Sequence, residues 1–202
     1  GGDVYKYDHC LDFSANCNPL GTPQSVKQAI IDSVEDLSDY PCVGCGPLKE
    51  AIADYEHTKK EYLICGNGAA DLIFSLSRAL NPKKALLPAP TFAEYEQALV
   101  SVGCEISRYY LKEENDFCIQ KDYPDVLKRE KPDIIFLCNP NNPTGITIPQ
   151  DLLEEILETC AMQGIFMVVD ECFLDFVKDP EKHTLKEKLA KYPGLFILKA
   201  FT

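Results

Sequence analysis

The sequence predicts an α/β fold of three layers, α-β-α, in which helices cover a mostly parallel sheet behind an N-terminal arm. Short apolar runs rich in Val and Ile alternate with helical patterns of about 8–15 residues, which is typical of this class. Two of these runs, 134–137 and 165–169, contain no polar residue, as expected for strands that are buried on both faces. Both runs end in polar side chains, so we expect a ligand site at the carboxyl edge of the sheet.

The first part of the chain predicts an arm that leads into a helix. Residues 1–21 combine Asn, Pro and Gly, which is typical of a structured turn. Thr22 and Pro23 form a helix start, because a capping residue followed by proline is favoured there. We therefore expect the arm and first helix to occupy residues 1–45 and the main domain to occupy residues 46–202.

The remaining elements follow from the periodicity of the apolar residues. Helices are expected over residues 23–37, 48–59, 69–80, 93–102, 123–130, 149–163 and 184–190. Strands are expected over residues 62–65, 85–87, 105–110, 133–137, 165–169 and 195–198. Because most of these strands are separated by helices rather than by tight turns, they are expected to pair in parallel.

Composition narrows the classes of partner. The net charge of −12 argues against binding to nucleic acid or to an anionic membrane, since both need clustered Lys and Arg. No stretch approaches the roughly 18 apolar residues of a membrane span, and no signal peptide opens the sequence. The 10 cysteines lie partly within apolar runs and are expected to be reduced thiols, which favours a cytoplasmic protein.

Polar residues at two strand ends are the first candidates for chemistry. Asp170 ends one buried run, and Asn142 lies in the Asn-Pro-Asn-Asn-Pro-Thr-Gly segment that ends the other. A carboxylate beside a protonated ring nitrogen keeps that nitrogen charged, although Asp170 could equally cap a helix. The Asn142 amide could donate to a ring hydroxyl or could fix the turn.

A strand-to-helix junction and a nearby aromatic residue add weaker signals. Gly66-Asn67-Gly68 precedes a helical pattern, where backbone N–H groups favour a phosphate; a tight turn with a helix cap explains the same residues. The segment is neither a Walker loop nor a full G-x-G-x-x-G motif. Phe92 follows a Pro-Thr turn and could stack on a flat ring, although core packing is the commoner use of such a residue.

Other reactive residues form no recognisable constellation. Cys42 and Cys45 make a C-x-x-C pair without a second pair or a nearby His, so an incidental loop pair is favoured over zinc or redox use. His9, His57 and His183 are scattered among polar residues. No Ser-His-Asp set and no cluster with metal-ligand spacing is visible in the sequence, so no metal site is expected.

Taken together, these segments resemble the fold-type I enzymes that depend on pyridoxal 5'-phosphate, in the class I/II aminotransferase family. The string 139–145, Asn-Pro-Asn-Asn-Pro-Thr-Gly, is followed about 25 residues later by Asp170-Glu171. The family's other landmarks occur in the right order: Asp39-Tyr40-Pro41, Gly66-Asn67-Gly68-Ala69 and Pro90-Thr91-Phe92. The resemblance covers nearly the whole chain and implies the large domain of such an enzyme in incomplete form.

The resemblance implies a cofactor role for several residues. Asp170, the expected catalytic residue, would hold the pyridine nitrogen, Asn142 would hold the ring hydroxyl, and Phe92 would stack on the ring. The cofactor phosphate would be bound by backbone N–H groups of Gly68, Ala69 and Ala70.

It also implies a second subunit and a substrate site. Tyr40 would reach the cofactor phosphate of a partner subunit, so a homodimer with shared active sites is expected. Gly1, Asn16 and Asn142 would contact a phosphorylated amino-acid substrate.

Within the family, the likeness is greatest to the enzymes that decarboxylate L-threonine O-3-phosphate in cobalamin synthesis. It is carried by residues 12–21, 92–95 and 170–176. The histidinol-phosphate aminotransferases are near relatives, but they usually carry a cofactor-binding Tyr where this chain has Phe173. Amino-group transfer is therefore the alternative reaction, and a non-catalytic α/β binding module is a second alternative.

One family landmark falls outside the sequence. The family's Leu-x-x-(Ser/Thr)-Lys motif presents the lysine that forms the Schiff base with the cofactor, and here it would lie just after Thr202. Lys199 has the spacing of a flanking basic position and is not assigned this role. The resemblance also implies a further C-terminal small domain with substrate-binding arginines, so we expect these 202 residues alone to be inactive.

Overall fold

The computed structural model divides into two compact units, Gly1–Leu63 and Ile64–Thr202. The residues that it describes are 6–7, 9, 11, 15–16 and 18–201. The expected boundary after residue 45 stays a prediction, although the division by contacts lies later in the chain.

The described part of the first unit includes two α-helices and two short 3₁₀ helices between residues 24 and 62. Helix α1 (Gln24–Asp32) continues as a 3₁₀ helix over Ser33–Ser38, so the predicted helix is present but its last turns are tighter. It begins one residue later than expected, because Pro23 has an extended ψ of 146°. Helix α2 (Gly46–Glu56) follows, and a single 3₁₀ turn over Lys60–Tyr62 ends the unit.

The described residues of the second unit form a five-stranded sheet with four α-helices and several 3₁₀ turns. The strands are β1 (Lys84–Ala89), β2 (Glu105–Tyr110), β3 (Ile134–Cys138), β4 (Phe166–Asp170) and β5 (Leu195–Leu198). The helices are α3 (Gly68–Leu80), α4 (Ala93–Ser101), α5 (Tyr123–Glu130) and α6 (Gln150–Gln163). These elements confirm the predicted α/β class.

Every pairing in the described sheet is parallel, and the strand order is β2-β1-β3-β4-β5. Strand β3 is therefore central and all five of its residues are buried, which agrees with its unbroken apolar sequence. Because all strands run the same way, their carboxyl ends meet at one edge of the sheet. At that edge the register places Cys138 beside Asp170, and Asp170 beside Leu198.

Two hydrophobic clusters cover the two faces of the sheet. The first contains residues of α5 and α6, and the second contains residues of α3 and α4. Successive strand residues alternate between them: Met167 and Val169 belong to the first cluster, and Val168 belongs to the second. By the same alternation, the side chain of Asp170 lies on the face covered by α3 and α4.

Two predicted elements are wrong. Residues 62–65 form no strand: Leu63 has an extended backbone, but Ile64 is exposed and no described strand pairs with the segment. The predicted helix over 184–190 is reduced to a 3₁₀ turn over Lys186–Lys188. Here the Thr184 hydroxyl accepts a hydrogen bond from the Lys186 N–H, and such local bonds compete with a regular helix.

Among the helices that the structure describes, none combines the length and the apolar character that crossing a membrane requires.

Candidate active site

Asp170 is the last residue of β4 and lies at the carboxyl edge of the sheet. Its side chain is only 4% exposed, although it is ionisable and follows a run of apolar residues. Such a group is expected to have hydrogen-bond donors around it, since burial of an unpaired carboxylate costs several kcal/mol.

Two neutral donors bind the Asp170 carboxylate. The hydroxyl of Tyr95 donates to Oδ2 over 2.6 Å, and the backbone N–H of Cys172 donates to Oδ1 over 3.0 Å. Each oxygen is thus held from one side, and a carboxylate has about four acceptor positions in all. Among the residues that the structure describes, no cationic side chain forms an ion pair with Asp170.

Tyr95 is fully buried within helix α4 and is fixed by aromatic contacts. Its ring stacks on Phe136 of β3 with centroids 4.9 Å apart, and it meets Phe92 edge-on at 5.5 Å. Burial raises the pKa of the Tyr95 hydroxyl far above its usual value, and the charge of Asp170 raises it further. Tyr95 therefore remains a protonated donor toward the carboxylate at any physiological pH.

Two thiols flank the same carboxylate and stay neutral. Burial raises the pKa of Cys138 to about 11, and the neighbouring charge of Asp170 adds to the effect. The pKa of Cys172 is also raised, first by burial and then by Asp170. Cys138 Sγ donates to the Pro140 carbonyl and accepts from the Asn142 N–H. These thiols thus pack around Asp170 without adding charge.

The backbone of Asp170 is anchored by the buried residue Asn139. The Asn139 N–H donates to the Asp170 carbonyl over 2.8 Å. Its side chain, which is fully buried, accepts from the Ile148 N–H at 2.9 Å and donates to the His183 carbonyl at 3.1 Å. One asparagine therefore joins the end of β3 to the end of β4 and to two loops.

Glu171 provides a second anchor directly after Asp170. Its side chain is 2% exposed and accepts hydrogen bonds from the Thr184 hydroxyl at 2.8 Å and from the Leu185 N–H at 3.1 Å. These contacts fasten the loop after β4 to the segment before β5, next to the candidate site.

The start of α3 provides free backbone donors. Asp71 accepts from the Asn67 N–H at 2.9 Å, and the Gly68 N–H donates to the Gly66 carbonyl at 2.9 Å. The N–H groups of Ala69 and Ala70 belong to the first helical turn, where no intrahelical acceptor exists. Such a terminus favours an anion.

Glycine is favoured at two positions of this turn. A Cβ atom on Gly66 would lie 2.7 Å from Leu72 Cδ2, and Gly68 has a φ of +80°. Both positions therefore disfavour a larger residue, which is why the backbone can turn so tightly into the helix.

The loops after β1 and β3 are joined by Asn141. Its Oδ1 accepts from the Thr91 hydroxyl at 2.9 Å, and its Nδ2 donates to the Pro90 carbonyl and to the Thr144 hydroxyl. Among the described residues, the neighbouring Asn142 side-chain amide makes no hydrogen bond, so it is available to a ligand.

Several predicted site residues come together in the second unit. Asp170 lies on the face of the sheet where Ala69 and Phe92 pack against one hydrophobic cluster, and Asn142 contacts Cys138 beside it. Ala69 is followed by Ala70 and preceded by Gly68 in the first turn of α3.

The other predicted site residues, Tyr40, Asn16 and Gly1, belong to the first unit. Tyr40 and Asn16 are exposed, and Gly1 lies outside the described residues. Their expected roles therefore stay predictions.

Residue-by-residue reasoning missed Tyr95, Asn139, Asn141 and Glu171 as parts of the site. A signal existed for Asn139, Asn141 and Glu171, since they neighbour the singled-out residues Asn142 and Asp170. Tyr95 lies within the segment 92–95 that carries part of the family likeness, but its link to Asp170, 75 positions away in the chain, gave no local signal.

The chain is similar to known proteins along most of its length. The profile of the family "Aminotransferase class I and II" matches residues 8–202. A threonine-phosphate decarboxylase from Salmonella typhimurium is 36% identical over 195 residues, which is 96% of this chain and 53% of that protein. A histidinol-phosphate aminotransferase from Ruminiclostridium cellulolyticum is 30% identical over 200 residues, which is 95% of this chain and 54% of that protein.

A solved structure shows the same architecture. The crystal structure of histidinol-phosphate aminotransferase from Clostridium acetobutylicum superimposes with a TM-score of 0.84 at 30% identity, covering 96% of this chain and 56% of that one. The chain thus spans about half the length of the curated relatives it matches.

Proposed function

The chain belongs to the aminotransferase class I and II family, and from that premise we propose that the whole protein decarboxylates L-threonine O-3-phosphate. The product would be an aminopropanol phosphate, used in cobalamin synthesis. The observation that carries the proposal is Asp170, a buried acid at the end of β4 that is held by two neutral donors. The similarity to threonine-phosphate decarboxylase supports this choice of reaction.

Pyridoxal 5'-phosphate is the cofactor that the family implies, and the residues present fit it. An acid that has acceptor positions left and no cationic neighbour among the described residues suits a protonated ring nitrogen. Free amides at the start of α3 suit its phosphate. When bound, the cofactor supplies an electron sink for the electron pair left on the substrate Cα once CO2 departs.

Asp170 has the central part in the proposed reaction. Its negative charge would keep a proton on the ring nitrogen, because an opposite charge at hydrogen-bond distance favours the charged form. Tyr95 and the Cys172 N–H hold both carboxylate oxygens in place, so the acid is aimed before a ligand arrives.

The remaining cofactor contacts are assigned by the same proposal. Phe92 would stack on the ring, and Asn142 would donate to the ring hydroxyl. The phosphate would be bound by the group Gly68, Ala69 and Ala70. In this group the Gly68 N–H already donates to Gly66, so the amides of Ala69 and Ala70 are the stronger candidates.

Substrate binding would need residues outside the second unit. Gly1 and Asn16 would contact the phosphorylated amino acid together with Asn142. Tyr40 would reach the cofactor phosphate of a partner subunit, so the proposal includes a homodimer with shared sites in the cytoplasm. The Schiff-base lysine would follow Thr202, beyond a strand whose Leu198 is paired with Asp170.

Amino-group transfer is the alternative within the family, and the histidinol-phosphate aminotransferases support it. Phe173 favours decarboxylation, because its ring has no hydroxyl that could donate to the cofactor; it packs 6.3 Å from Phe176 instead. A non-catalytic binding module is the second alternative.

One assay separates the three hypotheses. The native protein, supplied with pyridoxal 5'-phosphate, is incubated with O-phospho-L-threonine alone and with histidinol phosphate plus 2-oxoglutarate. Release of CO2 from the first substrate is the expected result. Formation of glutamate without release of CO2 would establish amino-group transfer instead. Binding of pyridoxal 5'-phosphate without turnover of either substrate would establish the non-catalytic binding module.

A further inference from the structure

The Cys42–Cys45 turn precedes α2 and brings the backbones of two cysteines close together. The Cys45 N–H donates to the Cys42 carbonyl over 3.1 Å, which closes a four-residue turn. Such a turn keeps its first and last Cα atoms within about 7 Å. Disulfides span Cα separations of about 4.4–6.8 Å, so the Cα separation that this turn allows is compatible with a bond between Cys42 and Cys45.

The first thiol is placed at the start of a helix. Cys42 Sγ accepts a hydrogen bond from the Gly46 N–H at 3.4 Å, and Gly46 begins the 11-residue helix α2. The Gly46 N–H lowers the pKa of Cys42, and the Gly44 N–H lowers it further. Both the free amides and the helix dipole stabilise a thiolate, which is the reactive form of cysteine.

The two cysteines differ in the way that a nucleophile and a resolving thiol differ. Cys42 is exposed, whereas Cys45 is half-buried. Cys45 also has a left-handed backbone, with φ 51° and ψ 36°, where it caps α2. A disulfide reagent in solution therefore meets Cys42 first.

Other described cysteines show the opposite environment. Burial raises the pKa of Cys104, Cys138, Cys160 and Cys172. A thiol whose pKa is raised by burial is poorly reactive at neutral pH. Thiol chemistry is therefore concentrated at the turn rather than spread over these four sites.

We propose that Cys42 and Cys45 form a redox-active dithiol that is oxidised by low-molecular-weight disulfides. The Cys42 thiolate attacks one sulfur of the reagent, forms a mixed disulfide and releases one thiolate. Cys45 then loses its proton and attacks Cys42 Sγ, which closes the Cys42–Cys45 bond and releases the second thiolate. The protein loses two electrons, the reagent gains them, and the two thiol protons leave with the two released thiols.

Oxidation of the Cys42–Cys45 pair would affect the backbone next to Tyr40. Tyr40 lies two residues before Cys42, and closing the disulfide would restrict the turn that follows it. That consequence rests on the proposed function, in which Tyr40 reaches the cofactor of a partner subunit. The oxidation itself does not depend on it.

The test uses the native protein, reduced and freed of reductant, then incubated with oxidised glutathione at pH 7. The exchange is stopped with acid, the protein is transferred to buffer near pH 7 that contains excess N-ethylmaleimide to block free thiols, and peptides are analysed by mass spectrometry. Wild-type protein should yield a disulfide between Cys42 and Cys45. The Cys45→Ser variant should retain glutathione on Cys42, because the resolving thiol is missing. In the Cys42→Ser variant, the attachment of glutathione to Cys45 should be at least about 10-fold slower than its attachment to Cys42 in the Cys45→Ser variant.

A matched control is Cys118→Ser, which removes a half-buried thiol elsewhere in the chain and should behave as wild type. A stable mixed disulfide on wild-type Cys42, or a disulfide that pairs Cys42 with another cysteine, would overturn the proposal. The proposal would also be overturned if glutathione modified Cys45 in the Cys42→Ser variant as fast as it modifies Cys42 in the Cys45→Ser variant. These readouts need no enzymatic turnover, so they are independent of the assay for decarboxylation.

Discussion

Tyr95 and Asp170, which are 75 residues apart in the chain, form a buried hydrogen bond of 2.6 Å between helix α4 and the end of β4. Tyr95 is completely buried and Asp170 is 4% exposed, so water does not compete for this bond. It fixes the direction of the carboxylate on which the proposed chemistry depends.

Loss of this bond should reduce stability. Tyr95→Phe removes a donor from a buried charged acceptor, and we expect the free energy of unfolding to fall by about 2 kcal/mol. Tyr123→Phe is the matched control: Tyr123 is equally buried, but its hydroxyl has no hydrogen-bond partner in the described part of the chain. That variant should be unchanged or slightly more stable. Urea unfolding at pH 7 measures both, and equal losses would contradict the assignment.

Removal of the Asp170 charge should abolish most activity. Asp170→Asn keeps the size of the side chain and an acceptor for Tyr95, but it cannot stabilise a protonated ring nitrogen. We expect turnover of the cofactor-loaded native protein to fall by about 10²-fold or more, with an unchanged circular dichroism spectrum. Asp175→Asn, which changes an exposed acid in the same loop, is the control. Similar activities for the two variants would refute the role of Asp170.

The Asn139 side chain should matter more for stability than that of Asn141. Asn139→Ala leaves the Ile148 N–H and the His183 carbonyl without their partner, and the side chain it removes is fully buried. We expect a loss of about 2–4 kcal/mol in the free energy of unfolding. Asn141→Ala should lose less than half as much, since Asn141 is only half-buried and water can replace its bonds. The reverse order in urea unfolding would count against Asn139 as an anchor.

The contribution of the Lys84–Glu130 ion pair to the free energy of unfolding should depend on pH. Lys84 Nζ lies 3.0 Å from Glu130 Oε2, and the hydrogen bond from Lys84 lowers the pKa of Glu130 below its usual value. A lowered folded-state pKa stabilises the protein above the unfolded value, and this contribution disappears as the pH falls through the folded value. Wild type should therefore be more stable than Glu130→Gln above about pH 5, and the two should converge in stronger acid. A constant difference from pH 7 to pH 3, measured by urea unfolding, would contradict this.

Much of the fold was predictable from local patterns. The apolar runs that became β3 and β4 have no polar alternation because both faces are covered, and the polar residues that end them mark the carboxyl edge. The strand predicted over residues 62–65 is absent because a short apolar segment does not show whether a neighbouring strand is available for pairing. The helix predicted over residues 184–190 does not form because backbone N–H groups donate to side chains instead. Leu185 N–H donates to Glu171, and Lys186 N–H donates to Thr184.

The candidate site was predictable in part. Asp170 and Asn142 can be identified from the sequence because they are polar residues at the ends of apolar runs. The turn before α3 can be identified by its glycines. Tyr95 does not, because a tyrosine on an amphipathic helix fits core packing equally well. Its role appears only when the sheet brings Asp170 to the same face as α4.

The anchoring of Asp170 on its carbonyl and on both carboxylate oxygens has an energetic consequence. The conformational entropy of this residue is lost once, when the protein folds, and not again each time a ligand binds. A weakly populated rotamer therefore need not be selected, and binding free energy stays available for the substrate itself.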